Sequence, residues 1–263
     1  MRLSKDSFGT SSFVQLQDIN WLNKQRIAGK ITAQTLSMLE NYVKEKTTYS
    51  LIELNNIAEE FIVKSGGIPT FKNYKSFPAG VCISVNKELV HGIPKDYKLQ
   101  DGDIVSFDLG VTFEGAIADS ALTCIFGSPK SEQHVKLINT TQESLMKGIS
   151  AIKVGNRLGC IGHAIYKHIK SNGFGVIDRY GGHGITYNTP HAEPFVPNKA
   201  NPEDGIVIQP GLCIAIEPMA IIGDTHTRVE SDGWTVVGSG ESAHFEHSVF
   251  VHENHVEILT ERS

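Results

Sequence analysis

The succession of structural elements repeats along the chain, and this repeat restricts the fold more than any other feature of the sequence. Two helices followed by short strand-like runs occupy the first half, and the same succession returns after residue 130. The segment 99–108 aligns with 208–217, because each has an apolar residue, Gln, any residue and Gly before a strand that ends in a carboxylate. His91-Gly92-Ile93 likewise matches His183-Gly184-Ile185. These matches, in the same order, indicate an internal duplication and predict one α+β domain built from two similar halves.

Apolar spacing and turn residues predict the position of each element. Asp18 precedes the first helix, and Ser50 with Glu53 forms a capping-box pattern at the start of the second. Residues 1–12 are polar and are predicted to be a flexible N-terminus, with a single domain over 13–263. The predicted helices cover 18–43, 50–65, 131–149 and 157–171, and the predicted strands cover 80–85, 103–111, 118–126, 176–177, 212–217, 234–237 and 245–251.

Charge and composition exclude several classes of protein. The net charge of −5 argues against nucleic-acid binding through a basic surface. No run approaches the roughly 18 apolar residues of a membrane helix, and the N-terminal segment lacks the apolar region of a secretory signal. We therefore expect a cytoplasmic protein without nucleic-acid or membrane partners. The cysteines follow neither metal-site nor disulfide spacing and are expected to be reduced packing residues: Cys82, Cys124, Cys160 and Cys213.

Two aspartates interrupt neighbouring apolar strands. Asp108 ends the run 104–108, Asp119 lies in the next strand, and 112–115 can form the hairpin loop between them. A hairpin that is symmetric about the midpoint between Phe113 and Glu114 places the two aspartates directly opposite, with Cβ atoms about 5 Å apart. Because like charges opposite each other are destabilising, one aspartate is protonated or a cation lies between them. A slipped register, which would leave one aspartate on the solvent face, is the alternative.

A second pair of acids has the same character. Glu217 ends the apolar run 213–216, and Glu246 lies in the strand-like stretch 243–251. Ser231-Asp232-Gly233, near the midpoint of the two glutamates, is a turn signal. The pattern predicts a second, longer hairpin that also brings its two acids face to face.

Four carboxylates in apolar surroundings call for cations. No nearby Lys or Arg residues are numerous enough to neutralise them, whereas two divalent ions would do so. Carboxylate oxygens with one or two imidazoles suit Mn, Fe, Co or Zn. His183, in the glycine-rich loop 180–185, is the best nitrogen ligand, since the glycines let the backbone approach closely.

These residues resemble the methionine aminopeptidases, in the type I form without a helical insert. The resemblance extends from about residue 18 to residue 260 and includes V-C-I-S-V-N at 81–86, H-G-I-P at 91–94, G-H-G-I at 182–185 and I-E-P-M at 216–219. It implies the pita-bread fold, an antiparallel sheet covered by helices with pseudo-twofold halves, as one catalytic metallopeptidase domain. It also implies a centre of two divalent metals (Co, Mn, Fe or Zn).

The resemblance also implies roles for individual residues. Asp108 would chelate one metal, Asp119 and Glu246 would bridge both, and His183 and Glu217 would complete the shell of the other. A hydroxide held between the metals would be the nucleophile, with Glu217 as its proton shuttle. Two histidines would flank the substrate and stabilise the charge of the tetrahedral intermediate: His91 and His191. The implied methionine pocket, for which ordinary core packing is the alternative, consists of Phe71, Tyr74, Phe77, Cys82 and Trp234.

The implied activity is removal of the initiator methionine from nascent polypeptides with a small second residue. The implied enzyme is a monomer with transient proximity to the ribosome. Two departures from the family pattern border the pocket: 186–190 is one residue longer, with Pro190 in place of a common aromatic residue, and 238–241 is shorter. They leave the shape of the pocket and the placement of His191 open.

Three other functions compete with this one. Aminopeptidase P and prolidase share the fold but carry a sizeable additional N-terminal domain. A binding protein that keeps the fold without turnover would be marked by loss of metal ligands, yet all five candidate ligands are present. A dinuclear phosphoesterase would show more His and Asn ligands in tight loops.

Overall fold

The computed structural model describes residues 14–262, so the predicted flexible stretch 1–12 lies outside the described residues. Within that range the chain forms four α-helices, which are α1 (Ile19–Lys44), α2 (Leu51–Lys64), α3 (Glu132–Ser150) and α4 (Gly159–Ser171). A 3₁₀ turn covers Tyr74–Ser76. The strands are β1 (Ile68–Pro69), β2 (Cys82–Val85), β3 (Glu88–Val90), β4 (Ile104–Phe113), β5 (Ala116–Ile125), β6 (Gly175–Val176), β7 (Gly182–Thr186), β8 (Thr189–Val196), β9 (Cys213–Ile216), β10 (Met219–Ile221), β11 (Thr227–Val229), β12 (Val236–Gly238), β13 (Ser242–His244), β14 (Glu246–Val251) and β15 (Val256–Ile258).

The helices begin where local side chains satisfy the free N–H groups of their first turns. The Asp18 side chain accepts a hydrogen bond of 2.9 Å from Trp21 N at the start of α1. Ser50 and Glu53 form the predicted capping box of α2, each side chain accepting from the backbone N–H of the other. All four predicted helices are present, and none of the helices in residues 14–262 is long and apolar enough to cross a bilayer.

One nine-stranded sheet contains strands from both halves of the chain. Its strand order is β1-β4-β5-β14-β9-β7-β8, with β2 also pairing with β4 and β15 with β14. The series β2-β4-β5 meets the series β7-β9-β14 at the pairing of β5 with β14, so the two halves are arranged symmetrically about that junction. Gly102 and Gly211, matched in the repeated motif, both have left-handed φ angles, 82° and 90°. The predicted duplication is therefore visible in the turns and in the strand order.

The helices cover this sheet and complete the core. Helix α1 packs on β4 and β5, and α3 packs against α4. Leu22, Leu36 and Leu39 of α1 are fully buried, and each such side chain contributes about 1.5–3 kcal/mol to folding. Ile19 and Ile27, which share the apolar spacing of α1, are 58% and 44% exposed and lie outside the core. The four cysteines are free, as expected.

Candidate metal centre

The first pair of acids lies on a tight hairpin whose register differs from the symmetric prediction. Glu114 and Gly115 form a two-residue turn with φ angles of 46° and 83°, the signs of a type I′ turn. The turn lies one residue later than predicted, so Asp119 faces Gly110 and Asp108 faces Ala121. The predicted direct opposition of the two aspartates is therefore wrong. Since positions two apart share a face of a strand, both carboxylates still lie on one side as diagonal neighbours.

The second pair of acids lies across β9 and β14. Ile216 pairs with His247, and the same register carried one residue further sets Glu217 opposite Glu246. The connection is not the single hairpin that was expected from Ser231-Asp232-Gly233, because β10, β11, β12 and β13 lie between the two acids and belong to two smaller sheets.

The junction of the two halves brings both pairs together. Ala121 pairs with Asp108 on one side and with Glu246 on the other, so one row of the sheet runs from one acid to the other. Cys82 extends the row beyond Asp108. Because paired residues point to the same face, the row places acids from both halves over one patch of the sheet.

His183 lies in β7, and not in a loop as predicted. A Cβ atom at Gly182 would lie 2.1 Å from Ala215 O, and one at Gly184 would lie 2.1 Å from Glu193 O. Only glycine fits at either position, which explains the G-H-G pattern. His183 Nδ1 lies 3.2 Å from Gly184 O, which accepts its proton and leaves Nε2 directed at the acids.

Candidate ligand atoms form three groups, with the ligand atoms of each group within 4.8 Å of one another. Two of them share Glu246, namely His183 with Glu217 and Glu246, and Asp108 with Asp119 and Glu246, and the third is Asp119, His183 and His191. His183 Nε2 lies 3.6 Å from Glu217 Oε1 and 3.8 Å from Glu246 Oε1. Two three-residue groups joined by Glu246 have the composition expected of a dinuclear centre.

The pKa values and the hydrogen bonding of the buried acids indicate whether they suit metal ions. Burial raises the pKa of Asp119 to about 7, and burial with neighbouring acids raises the pKa values of Asp108, Glu217 and Glu246 well above their usual range. One oxygen each of Asp108, Asp119 and Glu246 is buried without a hydrogen-bond partner in the described chain. Such oxygens are costly unless a cation binds them. Burial also lowers the pKa of His183 to about 4, which keeps the ring neutral and able to bind metal. These residues therefore fit two divalent ions.

A cavity of about 350 Å³ opens beside the acids. The rings of Phe77 and Trp234 meet edge to face at 5.2 Å, and Phe71 stacks on His191 at 6.2 Å. Phe71, Phe77 and Cys82 are also part of a small buried apolar cluster, so they are core residues as well as cavity walls. The structure brings every predicted pocket residue to this cavity: Phe71, Tyr74, Phe77, Cys82, Trp234, His91 and His191.

Both predicted substrate histidines lie at the cavity. His91 has a left-handed φ of 58°, and its ring meets those of Tyr180 and Trp234 at 6.1 and 6.2 Å. The ring of His191 lies 4.5 Å from that of His183. The segment before His191 is a tight turn between β7 and β8, and the pairing of these strands shifts register twice. Burial lowers the pKa of both His91 and His191, and the nearby His183 lowers that of His191 further.

Sequence reasoning missed His244. This residue is 1% exposed, and its Nε2 atom lies 3.3 Å from Glu217 Oε2. The signal was available, since His244 precedes Glu246 by two positions in a strand-like stretch and therefore shares its face. Three further residues that line the cavity belong to no motif identified in the sequence: Lys75, Arg179 and Phe195.

Comparisons with known proteins agree with this geometry. The profile of metallopeptidase family M24 matches residues 23–253. The methionine aminopeptidase of Clostridium perfringens is 44% identical over 247 residues, which cover 93% of this chain and 98% of that protein. Methionine aminopeptidase 1 of Bacillus subtilis is 42% identical, with 91% and 96% covered.

Two solved structures are also similar to this chain. The crystal structure of methionine aminopeptidase from Rickettsia prowazekii has a TM-score of 0.90 and 33% identity, covering 94% of this chain and all of that one. The prolidase from Pyrococcus furiosus, at 21% identity and a TM-score of 0.74, shares the fold, and the match covers 66% of its length.

Proposed function

The chain belongs to metallopeptidase family M24, and from this premise we propose how its own side chains release an N-terminal methionine. It is a metal-dependent aminopeptidase that removes the initiator methionine from proteins. It has the pita-bread fold that its sequence resemblance implied. Its cofactors are two divalent metal ions. The observation that carries the residue assignment is the pair of ligand groups that share Glu246.

We assign the ligands from these groups. Asp108 would hold one ion, His183 and Glu217 would hold the other, and Asp119 and Glu246, each of which belongs to two groups, would contribute to both sites. When bound, the two cations lower the pKa of a water molecule towards neutrality and polarise the scissile carbonyl. Glu217, which lines the cavity, would accept the proton of the attacking water and return it to the leaving amine.

The two cavity histidines bind the peptide backbone. A neutral imidazole can donate one hydrogen bond, and donors aimed at the carbonyl stabilise the negative charge that develops on its oxygen. The proximity of His191 to His183, 4.5 Å between ring centres, supports a place beside the reacting bond for His191. His91, whose ring lies against that of Trp234, would bind the peptide at a second point.

The apolar walls select the first side chain. An unbranched thioether fits a narrow space between aromatic rings such as Phe77 and Trp234, and the buried Cys82 forms a small, soft part of the wall. The second residue of the substrate would lie against the rings of His191 and Phe195, which also line the cavity. We therefore propose that only a small second residue is accepted.

The direct test compares peptides after metal removal and reconstitution. The chelated protein, reloaded with Mn, Fe, Co or Zn, should release methionine from Met-Ala-Ser and far more slowly from Met-Arg-Ser. Leu-Ala-Ser is the control for the methionine pocket. Absence of methionine release from Met-Ala-Ser with all four metals would contradict the proposal.

We also propose a domain organisation, a location and an oligomeric state for the protein. A single catalytic domain over 13–263 is supported by the central sheet, since strands from both halves meet in it. A cytoplasmic location is supported by the four free cysteines. The type I form is supported by coverage of 98% of a bacterial relative. Action near the ribosome as a monomer, without nucleic acid bound, would be tested by sedimentation of the purified protein alone and with ribosomes.

A further inference from the structure

We propose that His244 is a positioning residue for Glu217: its Nε2–H holds one carboxylate oxygen so that the other faces the metal site. The inference rests on the role of Glu217 in the proposed function. It adds to the centre a residue, His244, that belongs to none of the ligand groups.

The two oxygens of Glu217 have different neighbours. Glu217 Oε2 lies 3.3 Å from His244 Nε2, whereas Oε1 lies 3.6 Å from His183 Nε2. The carboxylate is therefore held between two imidazoles, one on each oxygen. Since His183 and Glu217 belong to one ligand group, the oxygen beside His183 is directed at the candidate site, and an anchor on the other oxygen fixes the rotation of the carboxylate.

His244 needs such a partner. Its side chain is 1% exposed, and neither ring nitrogen has a hydrogen-bond partner among residues 14–262. A buried polar atom without a partner costs free energy. A neutral imidazole carries one N–H, and placing it on Nε2 satisfies that donor with the nearest carboxylate oxygen. A small rotation of either side chain converts the 3.3 Å contact into a hydrogen bond.

The backbone around His244 is fixed well enough to position another side chain. His244 N donates to Thr123 Oγ1 at 2.9 Å, and Thr123 Oγ1 donates to His244 O at 2.7 Å. Strand β13 pairs with β10 through His244 and Met219, two residues beyond Glu217. The imidazole and the carboxylate are thus carried by adjacent, hydrogen-bonded segments.

Loss of the donor should act through Glu217 and not through the methionine pocket. Removing a partner that orients a metal ligand typically lowers metal affinity or activity by about 10–100-fold. We expect this loss in metal affinity and in kcat. The KM for Met-Ala-Ser should change by less than about threefold, because the apolar walls are untouched.

The experiment compares four variants of the full chain. His244→Gln keeps an N–H donor at a similar reach, His244→Asn shortens it, and His244→Phe keeps the ring without a donor. His226→Ala removes a histidine that is 96% exposed and serves as the matched control. Calorimetric titration with Co²⁺ or Mn²⁺ alone and the visible absorption of bound Co²⁺ are measured beside kcat and KM, with circular dichroism to verify folding.

The expected result is near wild-type metal affinity for His244→Gln and His226→Ala, with the full loss in His244→Asn and His244→Phe. Equal affinity and kcat in all folded variants would overturn the proposal, as would equal losses in His244→Gln and His244→Asn. If His244→Phe does not fold, the comparison of His244→Gln with His244→Asn still tests the proposal. Failure of the wild type to cleave Met-Ala-Ser would refute the proposed function, while the metal titrations would still report on His244.

Discussion

The two acid pairs occupy equivalent places in the two halves but are connected in different ways. A two-residue turn joins the strands of Asp108 and Asp119, so local geometry alone fixes their register. Four strands of two smaller sheets separate Glu217 from Glu246. That long connection also carries Trp234 and His244, which line the cavity or contact a ligand. The connection between the acids is therefore only a turn in the first half, whereas in the second half it also supplies a cavity wall and a residue that contacts a ligand.

The largest expected effect is that of replacing Glu246, which is shared by two ligand groups, and it is compared with the effect of replacing Asp108, which belongs to one. Glu246→Gln should lower kcat/KM by about a thousandfold or more, on the order of 4 kcal/mol of barrier, and weaken both metal sites. Asp108→Asn, which changes one group only, should leave one ion bound. Metal content after dialysis measures the difference. Two bound ions in Glu246→Gln would contradict the shared role.

Metal removal should make the stability of the protein depend on pH. The pKa of Asp119 is raised to about 7 in the folded state, and those of the other three acids are raised too. Raised acid pKa values favour folding below the unfolded pKa, and this contribution is lost as the pH rises through the folded pKa. The chelated protein should lose on the order of 2 kcal/mol or more between about pH 4 and pH 7. Urea unfolding across that range measures it, and a flat profile with chelator would contradict it.

Each of the two connections contains a turn with a glycine, and substitution of that glycine tests how tightly the turn is packed. Gly115 (φ 83°) and Gly233 (φ 78°) are both left-handed, but an added Cβ would lie 2.2 Å from the Tyr187 ring at the first and meets nothing within 4 Å at the second. Gly115→Ala should lower the free energy of unfolding by about 2–3 kcal/mol and Gly233→Ala by about 1 kcal/mol. Equal losses by urea unfolding would show that the Tyr187 contact is of no consequence.

The smallest effect concerns a position where the two halves differ. Asp103 precedes β4 and accepts hydrogen bonds from Tyr97, Asn86 and Gln100 N, whereas the matching residue is the buried Leu212. Burial acts to raise the pKa of Asp103, but these bonds lower it on balance. Asp103→Asn should cost about 1–2 kcal/mol at neutral pH. The cost should shrink as the pH falls below the usual aspartate pKa, and a constant cost from pH 7 to pH 3 would contradict this assignment.

Local signals in the sequence predicted the helices, because caps such as Asp18 and the Ser50 box act within one turn. They also predicted that acids inside apolar strands would meet. They did not predict the hairpin register, since Glu114 is not a residue typical of positive φ, and a shift of one residue changes which side chains face each other.

Features that depend on distant segments were not predictable. The short strand β10 pairs with β13 and with β6, which lies more than 40 residues earlier (Ala220 with Val176), so its place depends on segments that no local pattern connects. His183 was expected in a loop because its glycines resemble a turn, although close packing against Ala215 and Glu193 is what requires them. A role for His244 could be inferred only from the structure, in which its ring lies beside Glu217.

The central position of β14 has a consequence for the order in which the enzyme becomes active during its own synthesis. β14 lies between β5 and β9, and its first residue is Glu246, the ligand common to both groups. A growing chain that has emerged as far as residue 240 carries the other four ligands. It lacks β14, which joins the two halves of the sheet, and with it the carboxylate of Glu246. Such a chain has no complete centre, so hydrolytic activity has to await the entry of β14 into the sheet.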